Sequence, residues 1–77
     1  MNENYAEVKW VTVDMPTKCI TYMVENYING GRIKKIWVTE LDNFVCIKMS
    51  IDAESGEGTF TKFIKLDSIV SMEVMYG

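Results

Sequence analysis

Hydrophobic and polar side chains alternate most regularly between Gly31 and Ile51. In the second half of this stretch one face of an extended chain carries only apolar side chains, namely Val45, Ile47, Met49 and Ile51. A period of two is typical of a β-strand that turns one face toward a core. Leu41-Asp42-Asn43 separates this run from the run before it, so the stretch predicts a hairpin of two strands around which the chain is built.

Four more runs and their boundaries extend this pattern. Together with the hairpin, the predicted strands are Tyr5–Asp14, Lys18–Ile28, Arg32–Glu40, Phe44–Ile51, Thr59–Leu66 and Ile69–Tyr76. Pro16 ends the first because proline lacks the ladder N–H. Asn29-Gly30 predicts a type I′ turn, since both residues tolerate a positive φ. The acidic segment Asp52–Gly58 predicts an exposed, mobile loop.

The run Lys18–Ile28 is compatible with two structures. Ile20, Tyr22 and Val24 alternate as in a strand, whereas Ile20, Met23 and Tyr27 recur at helical spacing. Its content of Thr, Tyr, Val and Ile, without a preceding cap, favours the strand.

These elements predict an all-β fold in one domain, residues 1–77. Its form is a strongly bent small barrel or roll of about five to six short antiparallel strands. Closure is expected to remove exposed strand edges. The last strand is expected to point Val70, Met72, Val74 and Tyr76 inward.

The composition of the chain restricts its possible functions more than it restricts its fold. A net charge of −3 and a pI near 4.8 argue against binding duplex nucleic acid through the overall field. The N-terminus is polar and acidic, and no apolar run approaches the roughly 20 residues of a membrane span. A cytoplasmic protein is expected, with Cys19 and Cys46 as free, buried thiols.

Catalytic chemistry finds little support. The chain has no histidine, the commonest general base and metal ligand. A thiol nucleophile would need an activating partner, and Cys46 lies in a predicted strand with none nearby in sequence. The carboxylates of Asp52–Gly58 lack the ligand spacing of a calcium loop, and no phosphate-binding glycine motif is present. We therefore expect no enzyme, no metal and no cofactor.

Two groups of residues are candidates for binding. Arg32, Lys34 and Lys35 form the most basic segment, with solvated edge charges as the alternative interpretation. Phe44 and Phe63 lie on the parity opposite to the main apolar sets of their strands. Such side chains can anchor a protein interface, stack a base, or be covered by the core or by another copy of the chain.

From Lys18 onward the layout resembles that of the Sm-like (Lsm) proteins, small SH3-like barrels that form rings and bind single-stranded RNA. In LDNFVCIKM, Asp42 occupies the place of the family's strand-opening aspartate and Phe44 that of its base-stacking side chain. Cys46 stands at the place of its asparagine, and Lys65-Leu66 where Arg-Gly is usual. The resemblance implies a small barrel, with nucleic-acid contacts through Asp42, Phe44 and Lys65.

Two functions follow as hypotheses. The favoured one is a non-catalytic protein-interaction module, a small regulator or inhibitor that occludes a larger protein partner. The size and acidity would suit a phage-encoded antagonist. The alternative is an Sm-like oligomer that binds single-stranded RNA or other nucleic acid. A homo-oligomer is expected in either case, because apolar side chains occupy both faces of several strands.

Overall fold

The computed structural model describes residues 5–77, and nearly all of them lie in strands. The seven strands are β1 (Ala6–Met15), β2 (Lys18–Met23), β3 (Tyr27–Ile28), β4 (Gly31–Leu41), β5 (Phe44–Ala53), β6 (Gly56–Lys65) and β7 (Ser71–Tyr76). A single 3₁₀ turn, Leu66–Ser68, joins β6 to β7. The prediction of a small all-β fold is confirmed, with one strand more than expected.

All pairings are antiparallel, and the main sheet runs in the order β2-β1-β4-β5-β6. The strand β1 is shared, since its first residues pair with β4 while the rest lies between β2 and β7. Register shifts occur in β1 between Val8 and Trp10 and in β4 between Ile33 and Lys35. Such bulges bend a strand and increase its twist, which curls this sheet into a half-barrel.

The concave side of the half-barrel holds the core. Its buried members come from β1, β4, β5 and β6, and they are Val8, Val11, Val13, Ile33, Ile36, Val38, Val45, Ile47, Met49 and Ile64. This is the face that the alternating pattern of β5 predicts. No polar or charged side chain is buried among the described residues.

The run Lys18–Ile28 is extended, as favoured, but it is two strands. Glu25 takes a positive φ of 81° between β2 and β3, and its N–H donates to the Ile33 carbonyl. A non-glycine residue in this region has no sequence signature as clear as Asn-Gly. That next turn is confirmed, because Asn29 and Gly30 both have positive φ and Ile28 pairs with Gly31.

The predicted loop Asp52–Gly58 is wrong. β5 continues to Ala53 and β6 begins at Gly56, so only Glu54 and Ser55 form the turn. Gly56 supplies a φ of 124°. Cross-strand pairing overrides the weak strand propensity of the glycines and acidic residues here.

The expectation of closure is also wrong. Within residues 5–77, β6 pairs only with β5, and β2 and β7 pair only with β1, so each keeps one free edge. Of the four side chains predicted to point inward from the last strand, only Met72 and Val74 pack against the core, while Val70, which precedes β7, and Tyr76 are largely exposed. Of the two thiols, Cys46 is buried and Cys19 is exposed.

Candidate functional site

Large apolar side chains are exposed together where the β4–β5 hairpin meets the end of β6. We call them the aromatic patch, and they are Leu41, Phe44, Phe63 and Leu66. The two phenylalanine rings lie edge to face, with centroids 6.4 Å apart and planes at 87°. Phe63 is 59% exposed and Phe44 37% exposed, so neither is a core residue. A cluster of this kind on a small chain is a candidate binding surface.

The patch follows from the register of the hairpin. Leu41 pairs with Phe44 across the turn, and Phe63 pairs with Cys46 on the neighbouring strand. Paired residues point to the same side of a sheet. The convex face therefore carries Leu41, Phe44, Cys46 and Phe63. Cys46 is 1% exposed and lies in the patch between its larger neighbours. The phenylalanines therefore lie on two paired strands, β5 and β6, and not on a loop.

A cleft of about 440 Å³ adjoins the patch, lined by Asn43, Phe44, Lys65, Leu66 and Asp67. The Leu66 N–H donates to the Asn43 carbonyl at 2.7 Å, which ties the 3₁₀ turn to the tip of the hairpin. The two walls of the cleft are thereby held in a fixed relation.

The charges around the patch are of both signs. Lys65 is the cation of the cleft, and it pairs directly with Phe44 in the register of β5 and β6. Asp67 lines the same cleft, while Glu40 and Asp42 are exposed in the hairpin.

On the other side of the patch a second cleft, which Phe63 helps to line, contains Lys18, Lys62 and Lys65. The rim of the apolar surface is thus acidic at the hairpin tip and basic beside Phe63.

Of the residues proposed from the sequence, Phe44, Phe63 and Lys65 come together here. Asp42 lies in the adjoining turn with a φ of 55°, a conformation that aspartate adopts more readily than most residues. It does not line the cleft. Its evident role is to make the turn that sets the hairpin register.

The basic residues lie in the other half of β4, roughly 20 to 30 Å of extended strand from Leu41. Arg32 contacts Glu25 at 2.9 Å and Asp52 at 3.6 Å. Lys34 contacts Glu57 at 2.9 Å, and that contact raises the pKa of Lys34 and lowers that of Glu57. Two of the three cations are therefore already engaged by carboxylates.

The same segment contains the β4 register shift. Ile33 and Ile36 are both buried, so one additional residue lies between two inward positions. Lys35 pairs with Ser50 on the convex face and is exposed. It has no ion pair among the described residues, and by itself it does not form a basic platform.

One cation on the convex face escaped the sequence analysis. The Lys48 ammonium lies 5.4 Å from the ring centroids of both Tyr5 and Trp37. Trp37 and Lys48 are paired residues, so the contact could have been found by counting back from the turn at Asp42-Asn43. This half-buried contact covers the middle of the convex face of β4 and β5.

The exposed thiol lies away from this surface, in the β1–β2 hairpin. Hydrogen bonding to the Asp14 carboxylate is the main cause that raises the pKa of Cys19. The Cys19 thiol and the Ser71 hydroxyl, whose Oγ lies 3.0 Å from Oδ2, lower the pKa of Asp14. A raised thiol pKa is the opposite of what activates a nucleophilic cysteine.

Residues 5–77 contain no group of three or more His, Cys, Asp or Glu side chains placed to hold a metal ion. In the same residues no helix has the length and apolarity that crossing a membrane requires. Searches of protein-family models, of curated proteins and of solved structures give no match to this chain.

Proposed function

We propose that this chain is a non-catalytic protein-interaction module, a small regulator or inhibitor that acts by covering a surface of a larger protein. The aromatic patch is the contact surface. The observation that carries the proposal is the exposed edge-to-face pair of Phe44 and Phe63 on two paired strands.

The side chains of the patch indicate what kind of surface the partner would offer. Buried aromatic anchors contribute most of the affinity of typical protein interfaces, surrounded by residues that exclude water. Here the anchors are Phe44 and Phe63, with Leu41 and Leu66 around them. The rim is acidic at the hairpin tip and basic beside Phe63. It favours a partner whose apolar groove is bordered by charges of the opposite sign on each side, because opposite charges steer the encounter and exclude wrong partners.

The test compares Phe63→Ala with Tyr76→Ala, since each variant removes one aromatic ring and the two rings are similarly exposed. The tagged full-length chain is used to capture proteins from its native cells, and the captured protein is then purified for titration. Phe63→Ala is expected to weaken binding about 10- to 30-fold, the effect of losing an anchor worth roughly 2 kcal/mol. Tyr76→Ala, which removes a ring that is 65% exposed on β7, is expected to leave binding unchanged. Equal effects of the two variants would refute the patch as the contact surface.

A second candidate function rests on the pairing of Phe44 with Lys65 at the cleft. An aromatic ring beside an ammonium group is the combination that stacks and neutralises single-stranded nucleic acid. The resemblance to Sm-like proteins gives Phe44 the same role. Asp67 in the cleft and the net charge of −3 oppose it. Salt-sensitive binding of a fluorescent oligonucleotide, weakened by Phe44→Ala, would establish this function in place of the first.

A further inference from the structure

The strand β6 has ten residues and one free edge. It pairs with β5 along its whole length, and the one other described hydrogen bond to its backbone is at its last residue, where the Ser68 hydroxyl donates to the Lys65 carbonyl. A long free edge carries unpaired N–H and C=O groups that can pair with another strand. The end of β6 from Lys62 to Lys65 borders a cleft shared with Met15, Lys18 and Ile20. A second chain that adds to the sheet would therefore enter this cleft.

Charge along β6 is divided between its ends. Glu57, whose carboxylate also contacts Lys34 of its own chain, lies in the first half, whereas Lys62 and Lys65 lie in the second. When a strand pairs antiparallel with a copy of itself, its acidic half meets the basic half of the copy. The free edges of β2 and β7 have no such complementarity, since the ionisable side chains of β2 include no carboxylate and β7 has Glu73 but no Lys or Arg.

Geometry restricts such a pairing to few registers. Paired residues in a sheet point to the same face, so the two-fold axis must pass through a residue that meets its own copy. An axis at Thr61 sets Glu57 opposite Lys65 of the second copy, both on the convex face. The same register sets Lys62 opposite Phe60 on the concave face. An axis one residue later would set Lys62 against itself, and one residue earlier would set Glu57 against Phe63.

We propose that two copies of this chain form a dimer by antiparallel pairing of their β6 strands, centred on Thr61. The dimer joins β4, β5 and β6 of both copies into one continuous sheet. Because the two-fold axis is perpendicular to that sheet, both aromatic patches lie on the same side of it. The pairing does not depend on the proposed partner, but it presents two patches to one surface.

Disulfide trapping tests the register directly. In a Cys19→Ser background, Thr61→Cys places the new thiol opposite its own copy, at the Cα separation of about 4.5 to 5.5 Å that a disulfide spans. Thr59→Cys is the matched control on the same strand and face. Its two copies are separated by four residues along the pair, roughly 13 Å, which is too far. Mild oxidation at about 100 µM is expected to yield a cross-linked dimer at least tenfold faster with the first variant. Equal rates, or no cross-linking of either, would overturn the proposal.

Light scattering of the Cys19→Ser chain provides a second measurement. The expected species is a concentration-dependent dimer of the 8.9 kDa chain. Lys65→Glu sets two carboxylates against each other and is expected to weaken the dimer severalfold, whereas Lys35→Glu makes the same charge change on β4 and is not. A strict monomer at high concentration, equal effects of the two variants, or a larger oligomer without Thr61→Cys cross-links would each contradict the pairing.

Discussion

Gly31 is the position where the packing of this fold leaves no room for a side chain. It follows the Asn29-Gly30 turn and opens β4, and it is buried. A β-carbon added there would overlap the Cγ2 methyl of Ile51 and would lie 3.3 Å from both the Ala53 Cβ and the Asp52 carbonyl oxygen. The glycine is thus required for close approach of β4 and β5, and not for a positive φ.

Gly31→Ala is therefore expected to destabilise the protein. Overpacking a core site costs about 1 to 3 kcal/mol, and the reduced freedom of the unfolded chain returns about 0.4 to 1 kcal/mol. The net loss in the free energy of unfolding is about 1 to 2 kcal/mol. For a domain of this size that lowers Tm by roughly 4 to 16 °C, measured by far-ultraviolet circular dichroism.

Gly58→Ala is the matched control, since a β-carbon there would meet nothing within 4 Å. It is expected to leave Tm unchanged or raise it slightly. The double variant Gly31→Ala with Ile51→Ala removes the overlapping methyl, so its loss should be smaller than the sum of the single losses by about 0.5 kcal/mol or more. A Gly31→Ala protein as stable as the wild type, or strictly additive losses, would refute the close packing of these strands.

Two further predictions concern side chains outside the patch. Asp14→Asn removes the carboxylate that raises the pKa of Cys19, so alkylation of that thiol by iodoacetamide near pH 8 should become faster. An unchanged rate would show that the two groups do not interact. Lys48→Gln removes the cation held between two aromatic rings and should lower the free energy of unfolding by about 0.5 to 1 kcal/mol, measured in urea. Lys35→Gln, an exposed lysine without a described ring contact, should have no effect, and equal losses would contradict the role of the rings.

Much of the sheet was predictable because turns and alternation reinforce each other. Once Asp42-Asn43 is taken as a two-residue turn, Leu41 must pair with Phe44, and every other pair of β4 and β5 up to the register shift follows by counting. The exposure of Phe44 and Phe63 follows from the same parity. The sequence thus predicted the central hairpin and placed both phenylalanines on its convex side.

The features that escaped prediction depend on contacts distant in sequence. The register shift between Ile33 and Lys35 leaves Lys34 and Lys35 both exposed. Nothing in the sequence GRIKKIW distinguishes this shift from regular alternation. The positive φ of Glu25 is stabilised by a hydrogen bond to Ile33, on another strand. The sharing of β1 between β4, β2 and β7 depends on which edges meet after the sheet has curled. Local sequence patterns do not indicate which strand edges pair with each other.

The position of the patch on the convex face is what favours recognition over packing. Along this face the opposite end of β5 and β6 carries Ser50, Thr59 and Thr61, the polar or β-branched side chains that suit a solvated sheet surface. Phe44 and Phe63 depart from that rule only where the two strands reach the hairpin tip. The concave core is already complete with buried aliphatic side chains, so the two rings contribute little to it. The two exposed rings are close together, adjoin a cleft and lie on the most regular part of the sheet. This combination is expected of a surface that binds another molecule.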